Sequence, residues 1–246
     1  MPRFFITPDA VSEKAITITG DDAFHIGRVL RMTVGEKLTV CDTDAVEYFC
    51  EISGFTKDEV RLSVISSQKS ENEPSVSVTL YQGLPKADKF EQIIQKAVEL
   101  GVGSIVPVCA KRCVVKVGDG FDKKLARYNA ISLSGAKQSG RGKVPRVEPP
   151  IGFDELIARL SKHSLGFICY EGSDAVPICD VLNSAFKKGI TNVGFYIGPE
   201  GGVDGEEVEK ASAAGITLAG LGNRILRTET ASGCVLSVIM ALSGNL

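Results

Sequence analysis

From Pro74 onward the chain keeps one rhythm, in which a short apolar run, a loop and a segment of helical periodicity follow each other. Residues 76–80, 105–108, 165–170, 193–197 and 216–221 read as strands. Residues 88–100, 121–135, 178–186, 204–214 and 230–242 read as helices. In the first of these, Phe90, Ile93, Ile94, Ala97 and Val98 share one face, and Gly101 stands at the C-cap. Asp204 with Glu207 three residues on has the form of a capping box. In the last, Ala231, Val235, Val238 and Leu242 recur at spacings of four, three and four. Alternation of this kind means an α/β domain on a mainly parallel sheet.

The first 72 residues read differently. Segments 15–19, 37–41, 48–52 and 59–64 are short, β-branched and roughly alternating, with Gly20-Asp21, Gly35-Glu36 and Lys57-Asp58 as turns. Strands so spaced suggest a small β-barrel, with 22–32 as its one helical insert. The polar run 68–74, ending in Pro74, reads as a linker. The expected domains are 1–72 and 73–246.

Apolar residues make up 43% of the 246, enough for a proper core. No apolar run reaches the roughly 18 to 20 residues of a membrane span. The start, Met1-Pro2-Arg3-Phe4-Phe5, lacks a charged-then-apolar leader, so a cytoplasmic location is expected. Seven scattered cysteines make a poor disulfide framework. With no CxxC, and with His25 and His163 far from any cysteine in sequence, no metal site is expected. Net charge is −2, yet residues 111–146 hold ten Lys and Arg against Asp119 and Asp122, a local +8 that leaves −10 elsewhere. Such a segment either tracks phosphates or is a solvated helix face and loop, and composition does not choose between them.

Ligands of an open parallel sheet bind beyond the carboxyl ends of its strands. Three strand ends here carry unusual loops. Gly198-Pro199-Glu200-Gly201-Gly202 has three glycines in five residues, which lets backbone approach a ligand; a simple turn needs one glycine and no glutamate. Leu221-Gly222-Asn223-Arg224-Ile225-Leu226-Arg227-Thr228-Glu229-Thr230 sets charged groups beside an apolar pair suited to cover a flat ring. Its plain reading is a strand–helix loop with Thr228 or Thr230 as N-cap. Tyr170-Glu171-Gly172 is the third. No Walker lysine follows the glycines, and the GxG triplets at 101–103, 118–120 and 140–142 lack the third glycine of a dinucleotide site. The residues alone reach a small ligand with an aromatic moiety beside a basic surface.

The loops 197–202 and 221–231 resemble the knotted methyltransferases of the SPOUT superfamily, and most of all the ribosomal RNA small subunit methyltransferase E family. That family methylates N3 of a uridine (position 1498) in 16S ribosomal RNA. His25-Ile26-x-Arg28-Val29-Leu30-Arg31-Met32 resembles its N-terminal PUA-like barrel. Leu84-Pro85-Lys86-x-x-Lys89, Lys96-x-x-Glu99-Leu100-Gly101-Val102 and Gln138-Ser139-x-Arg141 resemble its middle segments, so nearly the whole chain is covered. Gly135-Ala136-Lys137 depart from the acidic or amide residues that often precede the last motif.

The resemblance implies a trefoil-knotted α/β methyltransferase domain behind the PUA-like domain, a homodimer, and S-adenosylmethionine as cofactor. Tyr170, Glu171, Gly172, Ile197, Gly198, Glu200, Gly201, Leu221, Gly222, Ile225, Leu226 and Arg227 are the expected cofactor residues. The partner is 16S ribosomal RNA in the 30S subunit, gripped by Arg3, His25, Arg28, Arg31, Lys86, Gln138 and Arg141. Arg227 is the candidate to stabilise charge on a uracil oxygen. Glu229 is either the proton acceptor or a holder of Arg224 or Arg227. His163 is expected at the surface. The alternatives are another SPOUT enzyme acting on tRNA or ribose, a non-catalytic RNA-binding assembly factor, and a nucleotide-binding enzyme of ordinary doubly wound topology.

Overall fold

The computed structural model describes residues 1–12, 14–118 and 120–246. Glu13 and Asp119, one of the two acidic residues counted in the basic segment, lie outside the described residues. Two sheets organise the chain, one in each of two units: Met1–Glu73 with Ala136–Val144, and Pro74–Gly135 with Pro145–Leu246.

The first unit holds β1 (Arg3–Phe5), β2 (Val11–Ser12), β3 (Ala15–Thr19), β4 (Lys37–Cys41), β5 (Val46–Phe55) and β6 (Glu59–Lys69), in the order β1-β4-β5-β6-β3-β2. Neighbours are antiparallel except β1 and β4. In β3, Ile16 and Ile18 are buried while Ala15, Thr17 and Thr19 face out, the alternation of a sheet with one wet face. The buried face packs Leu38, Val40, Ile52, Val60 and Leu62 into one core. The sequence reading cuts β5 and β6 short. A register shift between Ile52 and Gly54 breaks the alternation of β5, and the second half of β6 is polar because it is exposed. Part of the expected linker is therefore strand.

The helical insert is α1 (Gly20–Phe24) continued by a wide π-type turn, His25–Val29, in which Leu30 N–H reaches His25 O at 2.9 Å. Arg31 stops it with φ 54°, and Met32 N–H closes on Ile26 O at 3.0 Å. The insert buries Ala23 and Ile26 and leaves Phe24, Val29 and Leu30 exposed beside His25, Arg28 and Arg31.

Residues 136–144, assigned from sequence to the second domain, cluster with the first unit. The anchor is Arg141, whose side chain is only 4% exposed. Its Nε and Nη2 donate to the two oxygens of Glu73, each at 2.8 Å. Gly142 N–H and Lys143 N–H also donate to Glu73 Oε1. Arg3 is similarly engaged, with Glu47 Oε1 at 2.7 Å and Arg141 O at 3.0 Å. Arg141 is thus buried on its carboxylate, while Arg3 is partly buried and commits only Nη1.

The second unit holds β7 (Ser77–Gly83), α2 (Lys89–Glu99), β8 (Ser104–Cys109), α3 (Phe121–Ser139, whose last turn belongs to the first unit), β9 (Arg146–Val147) and β10 (Ile151–Gly152). It continues with α4 (Phe153–Leu160), β11 (Leu165–Cys169), β12 (Val176–Pro177), α5 (Ile178–Lys187), β13 (Asn192–Ile197), α6 (Gly205–Ala213), β14 (Thr217–Gly220) and α7 (Thr228–Leu242). The order is β10-β8-β7-β13-β11-β14-β12 with β9 beside β8, and every pair is parallel, as the alternation requires.

Three details were not legible beforehand. α4 buries Phe153, Leu156, Ile157 and Leu160 within eight residues, too short a stretch to stand out in sequence. Helix α3 runs past Gly135 because that glycine serves close packing: a Cβ there would stand 3.2 Å from Val98 Cγ1. His163 is half-buried rather than on the surface, with Nε2 at 3.0 Å from Tyr81 Oη and Nδ1 bonded to Asn192. Gly194 leaves the space that its ring fills.

Replacing Arg141 with Met leaves Glu73 without its guanidinium. The first unit is then expected to lose about 3 kcal/mol or more, measured by urea denaturation, while RNA affinity of the folded protein changes little.

Candidate functional site

All strands of the second sheet run the same way, so the carboxyl ends of β7, β11, β13 and β14 share one edge. Beyond that edge lies a cavity of about 720 Å³. Its walls are the loops after β11, β13 and β14, with Lys89 from α2 and Arg112 from the loop after β8. Tyr170, Glu171, Gly172, Ile197, Gly198, Glu200, Gly201, Leu221, Gly222, Ile225, Leu226 and Arg227 all line it. Three loops far apart in sequence thus meet at one place.

The glycine-rich loop is held from beneath. Gly83 ends β7 directly under Pro199, and a Cβ there would stand 2.6 Å from both Pro199 N and Cδ, so only glycine fits. Gln82 is fully buried, and its Nε2 donates to Gly83 O at 3.0 Å and to Thr228 Oγ1 at 2.8 Å. Thr228 Oγ1 in turn donates to Gly198 O at 2.7 Å. One amide and one hydroxyl therefore join β7, the 198–202 loop and the start of α7. This corrects the reading of Thr228 or Thr230 as the N-cap. The N-cap position is Arg227, without a side-chain cap bond, and the Thr228 hydroxyl is spent on the loop.

Glu200 accounts for the glutamate that a simple turn would not need. Its Oε1 accepts from Lys86 N–H at 3.1 Å and pairs with Lys89 Nζ at 3.1 Å. Burial pushes its carboxyl up, but the bond from its own backbone and those from Lys89 and Lys86 outweigh it and hold the group below its ordinary value. Gly202, at φ 70°, closes the turn by N–H donation to Pro199 O at 2.9 Å. Arg112 Nη1 donates to Gly201 O at 3.0 Å, and its Nε to Asp204 at 3.2 Å. Asp204 and Glu207 form the expected capping box, and Lys111 N–H donates to Glu207 Oε1 at 2.8 Å.

Arg227 and Arg224 are exposed, and their guanidinium groups have no hydrogen-bond partner among the described residues. Ile225 is 81% exposed at the cavity, while Leu226 is half-buried. Glu229 does not line the cavity. Its side chain is 15% exposed and its Oε2 lies 3.6 Å from Lys89 Nζ. The expected alternative, a hold on Arg224 or Arg227, is thus not what forms: the partner is Lys89. Sequence reasoning missed Gln82, Lys89 and Arg112 as parts of the site. Gln82 left a signal, since an amide beside the apolar run of a parallel strand needs a partner once buried.

Of the expected RNA contacts, His25, Arg28, Arg31, Lys86 and Gln138 are exposed. The basic segment is half spent: Lys111, Arg112, Arg127, Lys137 and Arg141 pair with carboxylates. Lys116, Lys123, Lys124, Lys143 and Arg146 form no ion pair among the described residues and are exposed.

Comparison with known proteins fits this geometry. Residues 71–240 match the model of an RNA methyltransferase domain, and residues 18–65 that of an RNA methyltransferase PUA domain. The chain is 37% identical to ribosomal RNA small subunit methyltransferase E of Bacillus subtilis (strain 168), over 97% of this chain and 96% of that protein. The crystal structure of ribosomal RNA small subunit methyltransferase E from Neisseria gonorrhoeae, bound to S-adenosylmethionine, superimposes with a TM-score of 0.85 at 30% identity, covering 98% of each chain. A Legionella pneumophila protein in complex with the same cofactor gives 0.83 at 30% identity, covering 97% of this chain and 96% of that one.

Two outcomes follow. Thr228→Val leaves Gly198 O and the Gln82 amide short of a partner, so about 1–3 kcal/mol of unfolding free energy is lost, read by urea denaturation. The Lys89–Glu200 tie responds to acid with a definite sign. A carboxyl held below its ordinary value contributes above that value and is lost as pH falls through the lowered one. Amide exchange in 198–202, corrected for its intrinsic rate, is therefore expected to stay flat from neutral pH down to the ordinary 4.5 and to rise only below it.

Proposed function

Because the chain belongs to the ribosomal RNA small subunit methyltransferase E family, we propose that it transfers a methyl group from S-adenosylmethionine to N3 of a uridine, position 1498, in 16S ribosomal RNA. The observation that carries this reading is the convergence of three loops on one cavity at the carboxyl edge of a parallel sheet. Its 720 Å³ falls in the range of small-molecule sites. The lining fits the cofactor: glycine backbone at Gly198, Gly201 and Gly222 for close approach, and Leu221, Ile225 and Leu226 for a flat ring. The cofactor supplies an electrophilic methyl on a positively charged sulfur.

The chain's own groups do the rest. The 170–172, 198–202 and 221–227 loops hold the donor in line with the base. Arg227, unpaired and exposed at the cavity, stabilises charge that develops on a uracil oxygen. Glu229, next to Arg227 and Thr228 which line the cavity, accepts the N3 proton on turning its carboxylate into it; its Oε2 accepts no hydrogen bond among the described residues that would oppose the turn. His25, Arg28 and Arg31, with the exposed Phe24 and Leu30 beside them, present cations and apolar surface to RNA, and Lys86 and Gln138 add contacts from other segments.

The same reading includes a trefoil knot. After β14 the chain returns past β11, and α7 begins beside Gly198 and Gln82, at the ends of β13 and β7. It also includes a homodimer, in which α7 and the loops at its start take part, acting on the 30S subunit in the cytoplasm.

The test is methyl transfer from radiolabelled S-adenosylmethionine to 30S particles and to 16S RNA lacking the modification. The expected product is N3-methyluridine, formed about 10²–10³-fold more slowly by Arg227→Ala. A different labelled nucleoside would move the target, and absence of both transfer and cofactor binding would overturn the enzyme reading.

A further inference from the structure

Lys89 belongs to no expected set of site residues, yet its ammonium is shared by carboxylates from two different loops. Glu200 lies at 3.1 Å and Glu229 at 3.6 Å. Lys89 stands in the first turn of α2 and lines the cavity, with its side chain 31% exposed. Glu229 Oε2 is closed off from solvent and accepts no hydrogen bond among the described residues, so the ammonium is the positive charge nearest to it. A carboxylate buried that far is costly without a cation beside it. The other charged groups that line the cavity are placed differently. Arg112 is taken by Asp204 and Gly201 O, while Glu171, Arg224 and Arg227 are exposed, where water screens them.

One ammonium and two carboxylates sum to −1. The methyl donor brings +1 on sulfur and leaves as a neutral thioether. The N3–CH3 bond forms as the S–CH3 bond breaks, and the electron pair of the broken bond stays on sulfur. The N3 proton passes to the Glu229 carboxylate once that side chain turns into the cavity, and the carboxylate becomes neutral. The cluster then sums to zero beside a neutral product, as it summed to zero with the charged donor. We propose that Lys89 is a positioning residue for methyl transfer, which fixes the carboxylate cluster at one negative charge so that cluster and donor sulfur together are neutral on both sides of the reaction. The proposal rests on the reading of the cavity as the cofactor site and of Glu229 as proton acceptor.

The consequence has an unusual sign. Without Lys89 the cluster carries −2 and holds the positively charged donor more tightly than a transition state in which that charge is dispersing. Lys89→Met is therefore expected to lower KM for the cofactor while lowering kcat. A lysine that merely braced the loops would, on removal, weaken cofactor and product alike.

The experiment is calorimetric titration of the full chain with S-adenosylmethionine and with S-adenosylhomocysteine, paired with single-turnover transfer to 30S particles. In Lys89→Met the preference for the charged donor over the neutral product is expected to rise on the order of tenfold, with kcat falling. Lys89→Arg is expected to return both toward the native values. Glu229→Gln alone lowers the preference, and the double variant Lys89→Met with Glu229→Gln, again at −1, returns it to the native level. An unchanged preference in Lys89→Met, or equal weakening of both ligands, overturns the proposal. Should Lys89→Met not fold, the drop in Glu229→Gln and the retained preference in Lys89→Arg decide the matter. Transfer by Glu229→Gln at the native rate would instead remove Glu229 as acceptor, while the binding preference still tests the charge of the cluster.

Discussion

Thr228 receives one hydrogen bond from Gln82 and gives one to Gly198 O, and the site depends on this pair. The partners are 146 and 30 residues away in sequence, so each bond closes a long excursion of the chain. Through them the end of β7, the loop after β13 and the start of α7 are held at one point, buried from water. A hydroxyl that both accepts and donates is suited to this, because buried polar groups are tolerated only when partnered. Gly83 under Pro199 then sets the height of the loop, and the Lys89–Glu200 and Arg112–Gly201 contacts set its two sides. The glycine-rich loop is thus a backbone surface braced on three sides and open on the fourth, toward the cavity.

Electrostatics divides the charged residues into two populations. Arg3, Arg112, Arg127, Lys137 and Arg141 are bound to carboxylates and serve the fold. Arg28, Arg31, Lys86, Arg224 and Arg227 are exposed and form no ion pair among the described residues. An acidic chain that handles RNA needs this division, since cations already neutralised at home add nothing to phosphate affinity. Lys89 belongs to neither group. It is the charge that two functional loops share.

Much of the methyltransferase unit was legible because strand and helix periods alternate cleanly and glycines mark the loops. The capping box at Asp204 was readable residue by residue, because cap chemistry is local. The failures are all non-local. Arg141 looks like a phosphate ligand until Glu73 is placed against it, and His163 looks like a surface residue until Tyr81 and Asn192 are. Thr228 looks like a cap because nothing in its neighbourhood reveals Gly198. One of the two roles expected of Glu229 gave it an arginine partner from its own loop, whereas Lys89 comes from a helix about 140 residues earlier. The twelve expected cofactor residues line one cavity because sequence locates loops well; what braces those loops is long-range and had to be seen.

The central claim is that three separated loops form one cofactor site. Hydrogen exchange on the full chain, with and without S-adenosylmethionine, tests it most directly. The account predicts that the cofactor slows exchange in 170–172, 198–202 and 221–227 together and leaves the β3–β6 sheet unchanged. Protection confined to one of the three loops, or found only in the first unit, would contradict it.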